Sequence, residues 1–421
     1  MRRPSALVAL GVCVVVALGL GACSSGSGRG AAQPSGTASS SGSLSSSSSG
    51  DGAAGASNAA FASPTPSGPA VVTFTPSTGA TKVRPDQQVQ VAVQNGTLTA
   101  VQVRSAAGGV LAGDLAADGS AWRSSGVLAG GASYTVSAAT KAADGTAGSF
   151  SSAFTTLRPA STTSAVLIPG DDWTVGVGMP VIVQFGRAVK NRAAALRTLS
   201  VATTPPVEGA WHWMNDESVW WRPRDFWAAG TKVKVTAAID GAELAPGTWG
   251  RRTYTSSFAI GASVISTVDV TKHTLTVTKD GSLVRVLPVT TGKNDPRFRT
   301  RGGTKVIMEK LESVRMDATT TGTDSKDPEF YNTVEHWAMR LTWSGEYLHA
   351  RPGSDWAFGK TNISHGCTGM SWSNAKWLFD FSQIGDVVKY VGSSRPLEFG
   401  NGYTAWDLSF DQWAAGAPVT P

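Results

Sequence analysis

From Ala70 to Leu157 apolar and polar residues alternate with a period of two, clearest at Val89, Val91 and Val93 and again at Val101 and Val103 beyond the turn pair Asn95-Gly96. That period sets one face of an extended chain against a core and the other in water, so the segment reads as short antiparallel strands. The pattern recurs further on. Gly130-Gly131-Ala132-Ser133-Tyr134-Thr135-Val136 has a counterpart in Ala229-Gly230-Thr231-Lys232-Val233-Lys234-Val235, with Tyr134 and Val233 99 residues apart. The end signals Ser152-Ala153-Phe154 and Ser256-Ser257-Phe258 repeat at an offset of 104 residues.

A repeat of about 100 residues is the size of one immunoglobulin-like β-sandwich. Residues 70–157 and 158–261 therefore read as two such sandwiches in tandem, spacers with no cluster of titratable groups. The second carries Trp211, Trp213, Trp220, Trp221 and Trp227, which are expected to pack between modules or against the next domain, a carbohydrate-binding platform being the alternative.

From Ser263 the pattern changes. Val264–Val270, His273–Thr278, the turn Asp280-Gly281 and Leu283–Val289 form a meander, followed by a looser Gly- and Thr-rich stretch from Asn294 to Asp327. One helix is predicted over Ser371–Phe381, with serine at its start, an apolar stripe of Trp377, Leu378 and Phe381, and Gly385 past its end. Val387–Val391 closes a domain over 262–393. In the remaining segment, 394–421, Trp406, Phe410 and Trp413 fall at i, i+4 and i+7, one face of a short helix. The expected fold is mostly β.

The N-terminus has the signs of export. Arg2 and Arg3 precede an apolar run, Ala6–Gly19, that is too short to span a membrane comfortably, and Leu20-Gly21-Ala22-Cys23 resembles a bacterial lipobox. Residues 1–22 then form a lipoprotein signal peptide, and Cys23 carries the lipid. Residues 23–69 are almost all Ser, Gly, Ala, Pro and Thr, a composition expected to stay disordered as a tether with a span of roughly 35 to 40 Å. The expected location is the outer face of the cell membrane, reaching into the wall.

Net charge is +6, with no dense basic patch interleaved with aromatics, so nucleic acid is not an expected partner. Of three cysteines, the N-terminus accounts for Cys13 and Cys23, leaving Cys367 as a lone exported thiol. Its neighbours Gly366 and Gly369 suit a tight turn. A cysteine attacks carbonyls as its thiolate and needs a base nearby. Of five histidines, His212 among the tryptophans and His273 in a predicted strand read as structural, whereas His336, His349 and His365 lie near Cys367 in sequence. In a strand, His365 would share a face with Cys367.

His349-Ala350-Arg351-Pro352-Gly353, a stretch to Thr361-Asn362, then Ser364-His365-Gly366-Cys367, is similar to the signature of L,D-transpeptidases with a YkuD-like catalytic domain, with 18 residues from His349 to Cys367. The likeness continues through Ser371-Trp372-Ser373-Asn374-Ala375-Lys376-Trp377 and Gly385-Asp386-Val387-Val388 to Asp411-Gln412-Trp413. Tandem immunoglobulin-like modules ahead of such a domain are the arrangement of mycobacterial-type members. The resemblance implies that Cys367 is the nucleophile and His349 the base, oriented by the Ala350 carbonyl, with His365 supporting geometry and protonation. It also implies an oxyanion hole at the Gly366 and Cys367 N–H groups with the Tyr331 hydroxyl nearby, and a lid around Ser313–Thr323 with Met316 facing substrate. Ser364, Thr368 and Asn362 fall on the substrate side. Two positions depart from the family pattern: Gly369 where many members carry asparagine, and Gly353 where some carry an aromatic.

The implied reaction begins when Cys367 attacks a peptidoglycan tetrapeptide stem, expelling the terminal D-alanine. A diamino acid side chain of a neighbouring stem then takes the thioester to give a 3→3 cross-link, without metal or cofactor. Carbapenems are the implied inhibitors. Hydrolysis of the same thioester, as an L,D-carboxypeptidase or endopeptidase, and a non-catalytic wall-binding lipoprotein are the alternatives. The 394–421 segment is expected to pack back on the catalytic domain.

Overall fold

The computed structural model describes residues 68–321 and 323–416. Cys23, the 1–22 segment and all but the last two residues of the 23–69 segment lie outside that range.

Alternation in the first module produces two four-stranded sheets. One runs in the order Val71–Thr75, Gln90–Gln94, Ala121–Ser124, Gly113–Leu115, and the other Val110–Leu111, Gly96–Ser105, Ser133–Ala142, Ala147–Thr155. Val89, Val91, Val103, Trp122, Val136 and Phe154 fill the space between them. In the second module Val181–Phe185 and Ser218–Pro223 lie at the centre of one sheet, and Lys232–Ala238 and Thr253–Ile260 at the centre of the other. A helix not foreseen in the sequence, Arg192–Thr198, is capped by the Asn191 side chain, which accepts from the Ala194 N–H; asparagine before an alanine run was its signal. Arg84 links the modules, 2.8 Å from the Glu243 carboxylate and stacked on Trp249.

The third module is numbered here from β1. Its five-stranded sheet runs β3-β2-β1-β9-β4, built from β1 (Val264–Asp269), β2 (Thr274–Lys279), β3 (Ser282–Pro288), β4 (Gly303–Val306) and β9 (Val387–Val391). A four-stranded sheet runs in sequence order through β5 (Glu309–Asp317), β6 (Asn332–Arg340), β7 (Tyr347–Ala350) and β8 (Thr368–Met370), with β7 and β8 parallel. Helix α1 (Trp372–Phe381) buries Ala375 and Leu378 and is capped by Ser371. Val268, Leu275, Leu287, Met339, Leu348, Met370 and Leu378 form one core.

Three expectations are corrected. The stretch 294–327 is not loose throughout: it contains β4 and the nine-residue β5. Strand β5 escaped notice because it is the outer arm of a hairpin and buries only Met316, so no apolar alternation marks it. His273 lies in the β1–β2 turn with φ 55°, not in a strand. The C-terminal helix is broken, because Ser409 caps a new helix, α2 (Phe410–Ala414), after a separate turn at Ala405–Asp407.

That C-terminal segment wedges between the second sandwich and the third module rather than covering the third alone. Trp406 donates to Gly178 O at 2.7 Å, Trp413 to Ala210 O at 2.8 Å, and Arg222 to Leu408 O at 2.9 Å. On the other side the Thr304 N–H meets the Asp407 carboxylate at 3.2 Å. Trp220, Trp221 and Trp227 join Val306, Met308, Val387 and Trp413 in one core across the seam. Backbone bonds from Gly176 to Ile384 and from Gly178 to Gly385, each 2.8 Å, tie the modules directly. The catalytic module thus rests on the second sandwich through a packed, hydrogen-bonded interface.

Candidate active site

Strands β7 and β8 are neighbours, with His349 paired to Gly369, so the imidazole on β7 and the thiol just ahead of β8 are brought together by one parallel pairing. Cys367 is free and half-buried. The residues before it form a turn rather than a strand, because Gly366 has φ 131°, a backbone state that L side chains rarely adopt. No strand carries His365 and Cys367, and the turn still brings both to the same clefts.

Hydrogen bonds fix the loop. Ser364, 1% exposed, donates its hydroxyl to Cys367 O at 2.6 Å and accepts the Gly366 N–H at 3.1 Å. Thr300 donates to Gly366 O at 2.7 Å. The Gly366 N–H is thereby spent on Ser364, which removes it from the expected oxyanion hole; the Cys367 N–H has no acceptor among the described residues. The thiol itself points to Gly345 O at 3.5 Å.

His349 is 2% exposed, and its Nδ1–H donates to Ala350 O at 2.8 Å while lying 3.1 Å from a Glu335 carboxylate oxygen. With Nδ1 holding that proton, Nε2 is the nitrogen left for the sulfur. Burial works to depress the His349 pKa, but hydrogen bonds to Cys367 and Glu335 outweigh it and push it up to about 10. Burial works to raise the Glu335 pKa, and the His349 bond prevails and holds it below the usual carboxylate range. Both shifts favour the imidazolium form of His349 beside an ionised Glu335. Sequence reading missed Glu335, which is brought opposite His349 only by the β6–β7 register and its irregularity between His336 and Met339.

His365 faces the connection between β5 and β6. Its Nε2 is 2.8 Å from Glu329, which also takes Lys293 at 2.5 Å, and its ring packs 4.5 Å from Phe298 and 4.9 Å from Tyr331, centroid to centroid. Burial and the neighbouring Cys367 push the Tyr331 phenol up to about 12.

Two clefts open on the thiol from either side of Tyr331 and His365. One, of about 350 Å³, is lined by Met316, Glu335, His349 and Arg351; the other, of about 480 Å³, by Arg297, Arg301, Gly345 and Arg395. A larger hollow of about 590 Å³ between the two sandwiches is lined by Trp249, Arg158 and Asp240 and holds no nucleophile.

Several residues expected on the substrate side are turned inward. Asn362 accepts from the Thr291 N–H at 2.9 Å, pairs with His273 at 3.0 Å and donates to Val270 O at 2.9 Å, so its amide staples the loop to the β1–β2 turn. Thr368 is fully buried and bonds the Tyr390 hydroxyl at 2.7 Å. Ala350 contributes only the carbonyl that holds the imidazole. Met316 and Tyr331 do line the clefts. Both glycine departures have steric reasons: a Cβ on Gly369 would lie 2.9 Å from the Arg351 side chain, and Gly353 has φ 79°. His336 lies tilted against Trp372, 5.0 Å between ring centroids, and His212 stacks on Trp413.

This cysteine–histidine site on a two-sheet scaffold behind β-sandwiches defines a cysteine acyltransferase of the cell-wall type, and comparison with known proteins agrees. A family model described as the L,D-transpeptidase catalytic domain matches residues 263–389, and one described as a bacterial Ig domain matches 80–243. L,D-transpeptidase 2 of Mycobacterium tuberculosis is 36% identical over 339 residues, covering 80% of this chain and 82% of that protein. L,D-transpeptidase 5 of the same organism is 33% identical, covering 83% and 77%. The solved structure of the LD transpeptidase LdtMt1 in complex with imipenem is 31% identical, with a TM-score of 0.48, and covers 54% of this chain and 99% of that one. The chain belongs to the L,D-transpeptidase family.

Proposed function

We infer that this protein is a peptidoglycan L,D-transpeptidase that works through a thioester on Cys367. The observation that carries this reading is the His349 imidazole, locked by Ala350 and Glu335 with Nε2 left for a sulfur on which two separate clefts converge. The thiolate attacks the carbonyl of the third stem residue, and the bond to the terminal D-alanine breaks as its amine takes the proton from His349. The acceptor's side-chain amine then attacks the thioester, His349 taking its proton, and the 3→3 link forms as sulfur leaves. Two openings suit a donor and an acceptor bound in turn. Charge on the tetrahedral oxygen falls to the Cys367 N–H and the Tyr331 hydroxyl. His365 acts at one remove, holding the connection between β5 and β6 through Glu329.

Incubation of the full chain with disaccharide tetrapeptide tests the reading. Cross-linked dimers are expected; tripeptides alone would mean hydrolysis. A carbapenem should add its mass to the protein at Cys367, and Cys367→Ala that reacted as well as the native chain would overturn the assignment.

We place the protein on the outer face of the membrane, anchored by lipid on Cys23 and reaching wall peptides through the 23–69 segment. Leu20-Gly21-Ala22-Cys23 and the composition after it support this. Metabolic labelling with a radioactive fatty acid should mark the native chain and not Cys23→Ser.

A further inference from the structure

A buried ion pair lies behind the reactive cysteine, with Glu346 reaching the wall of one cleft. Lys305, on β4, is 1% exposed, and its ammonium is 2.5 Å from Glu346, itself 4% exposed. The other Glu346 oxygen accepts the Arg301 N–H at 2.9 Å and the Arg301 guanidinium at 3.2 Å. The Lys305 ammonium also lies 3.8 Å from the centre of the Tyr390 ring.

Both contacts lead to the cysteine. Tyr390 bonds Thr368, the residue after Cys367, and Glu346 follows Gly345, whose carbonyl accepts the thiol. For stability alone, well-packed apolar residues would serve as well as a buried pair.

We propose that Lys305, held in place by Glu346, is a positioning residue that sets a fixed positive charge behind the Cys367 sulfur, opposite His349. Arg301 and Lys305 carry two positive charges against one on Glu346; the second partner of Arg301, Glu398, is half exposed and screened by water. A net cation near sulfur favours thiolate. Burial, with the neighbouring Arg301 charge, holds the Lys305 pKa below its usual value, and Glu346 and Cys367 pull against that. Other charged groups face the sulfur too. His349 and Tyr347 come from β7, Glu335 from β6, Tyr331 and Asp327 from the connection between β5 and β6, and Tyr390 from β9; Arg297, Arg351, His365 and Arg395 line the clefts. None of them is in contact with Lys305 except Tyr390. The proposal rests on Cys367 being the nucleophile.

The test is the pH dependence of iodoacetamide alkylation of Cys367 in the full chain, read on its own peptide by mass spectrometry, with circular dichroism to confirm folding. Lys305→Met should move the midpoint up by about 1 pH unit, slowing alkylation below the midpoint by about 10-fold. Adding Glu346→Gln should bring the midpoint back toward the native one, because Arg301 regains its uncompensated charge. A folded Lys305→Met with the native midpoint, a shift that Glu346→Gln leaves in place, or unfolding of both variants would overturn the proposal in favour of a purely structural pair. A native midpoint near that of a free thiol, about 8.5, would instead count against Cys367 as the activated nucleophile, whatever the variants do.

Discussion

Glu335 reaches across from β6 to within 3.1 Å of His349 Nδ1, sharing that N–H with the Ala350 carbonyl at 2.8 Å. The carbonyl fixes the tautomer, and the carboxylate adds charge that favours imidazolium. Because the His349 pKa is raised to about 10, the stability it contributes is fully present below the ordinary histidine value and is lost as pH rises through about 10. Glu335→Gln should therefore lower the alkaline limb of carbapenem acylation by about 1 unit and leave the rate at pH 7 little changed, because His349 stays protonated there. Its melting temperature should fall at pH 7 and match the native one above pH 10. An alkaline limb left where it was would remove Glu335 from the site.

Tyr331 stands between the two clefts with its ring against His365. Tyr331→Ala merges the openings and admits water to the thioester, so the ratio of tripeptide to cross-linked dimer should rise. Tyr331→Phe keeps the ring in place and should keep the native ratio while slowing acylation through loss of the hydroxyl. Equal product ratios in native and Tyr331→Ala protein would show that the ring does not exclude water.

Local signals carried most of what could be read from sequence. The alternation at Val89, Val91 and Val93 marked a sandwich strand because one face is buried, and Ser371 with its apolar stripe marked α1 because capping and burial leave local traces. The cysteine and histidine were legible as residue types at a fixed spacing. What was hidden depends on register or on contacts between modules. Glu335 is one carboxylate in a polar strand until β6 pairs with β7, and Asn362 looks available to substrate until the β1–β2 turn closes over it. Lys305 reads as a surface lysine until Glu346 meets it from the connection just before β7. Trp413 reads as a helix face, with nothing to say that its partner is Ala210, 203 residues earlier.

Trp413 is fully buried, stacks on His212 at 4.6 Å and bonds the second sandwich. Replacing a buried tryptophan by alanine costs about 3 to 5 kcal/mol through lost transfer energy and the cavity left behind. Trp413→Ala should lower the melting temperature while a carbapenem still acylates the folded fraction, since the residue belongs to the seam and not to the clefts. An unchanged melting temperature would mean that the C-terminal wedge adds nothing to the interface.

Asp386 sits in the same seam, 1% exposed, with one oxygen on the Gln383 N–H and the other without a hydrogen-bond partner among the described residues. Burial pushes its pKa up to about 7, against the pull of the Gln383 N–H and Lys310. The folded state therefore keeps this proton when the unfolded chain, at about 3.8, has lost it, and stability must fall as pH rises from about 4 to about 7. Asp386→Asn removes the ionisation. It should be more stable than the native chain by about 2 kcal/mol at pH 8 and no more stable at pH 4, measured by denaturant unfolding. Asp407, pushed up to about 6 by burial, adds a loss of the same sign across the same seam. Replacing both should flatten the pH dependence further, and a double variant that lost stability with pH as steeply as the native chain would place the titrating groups elsewhere.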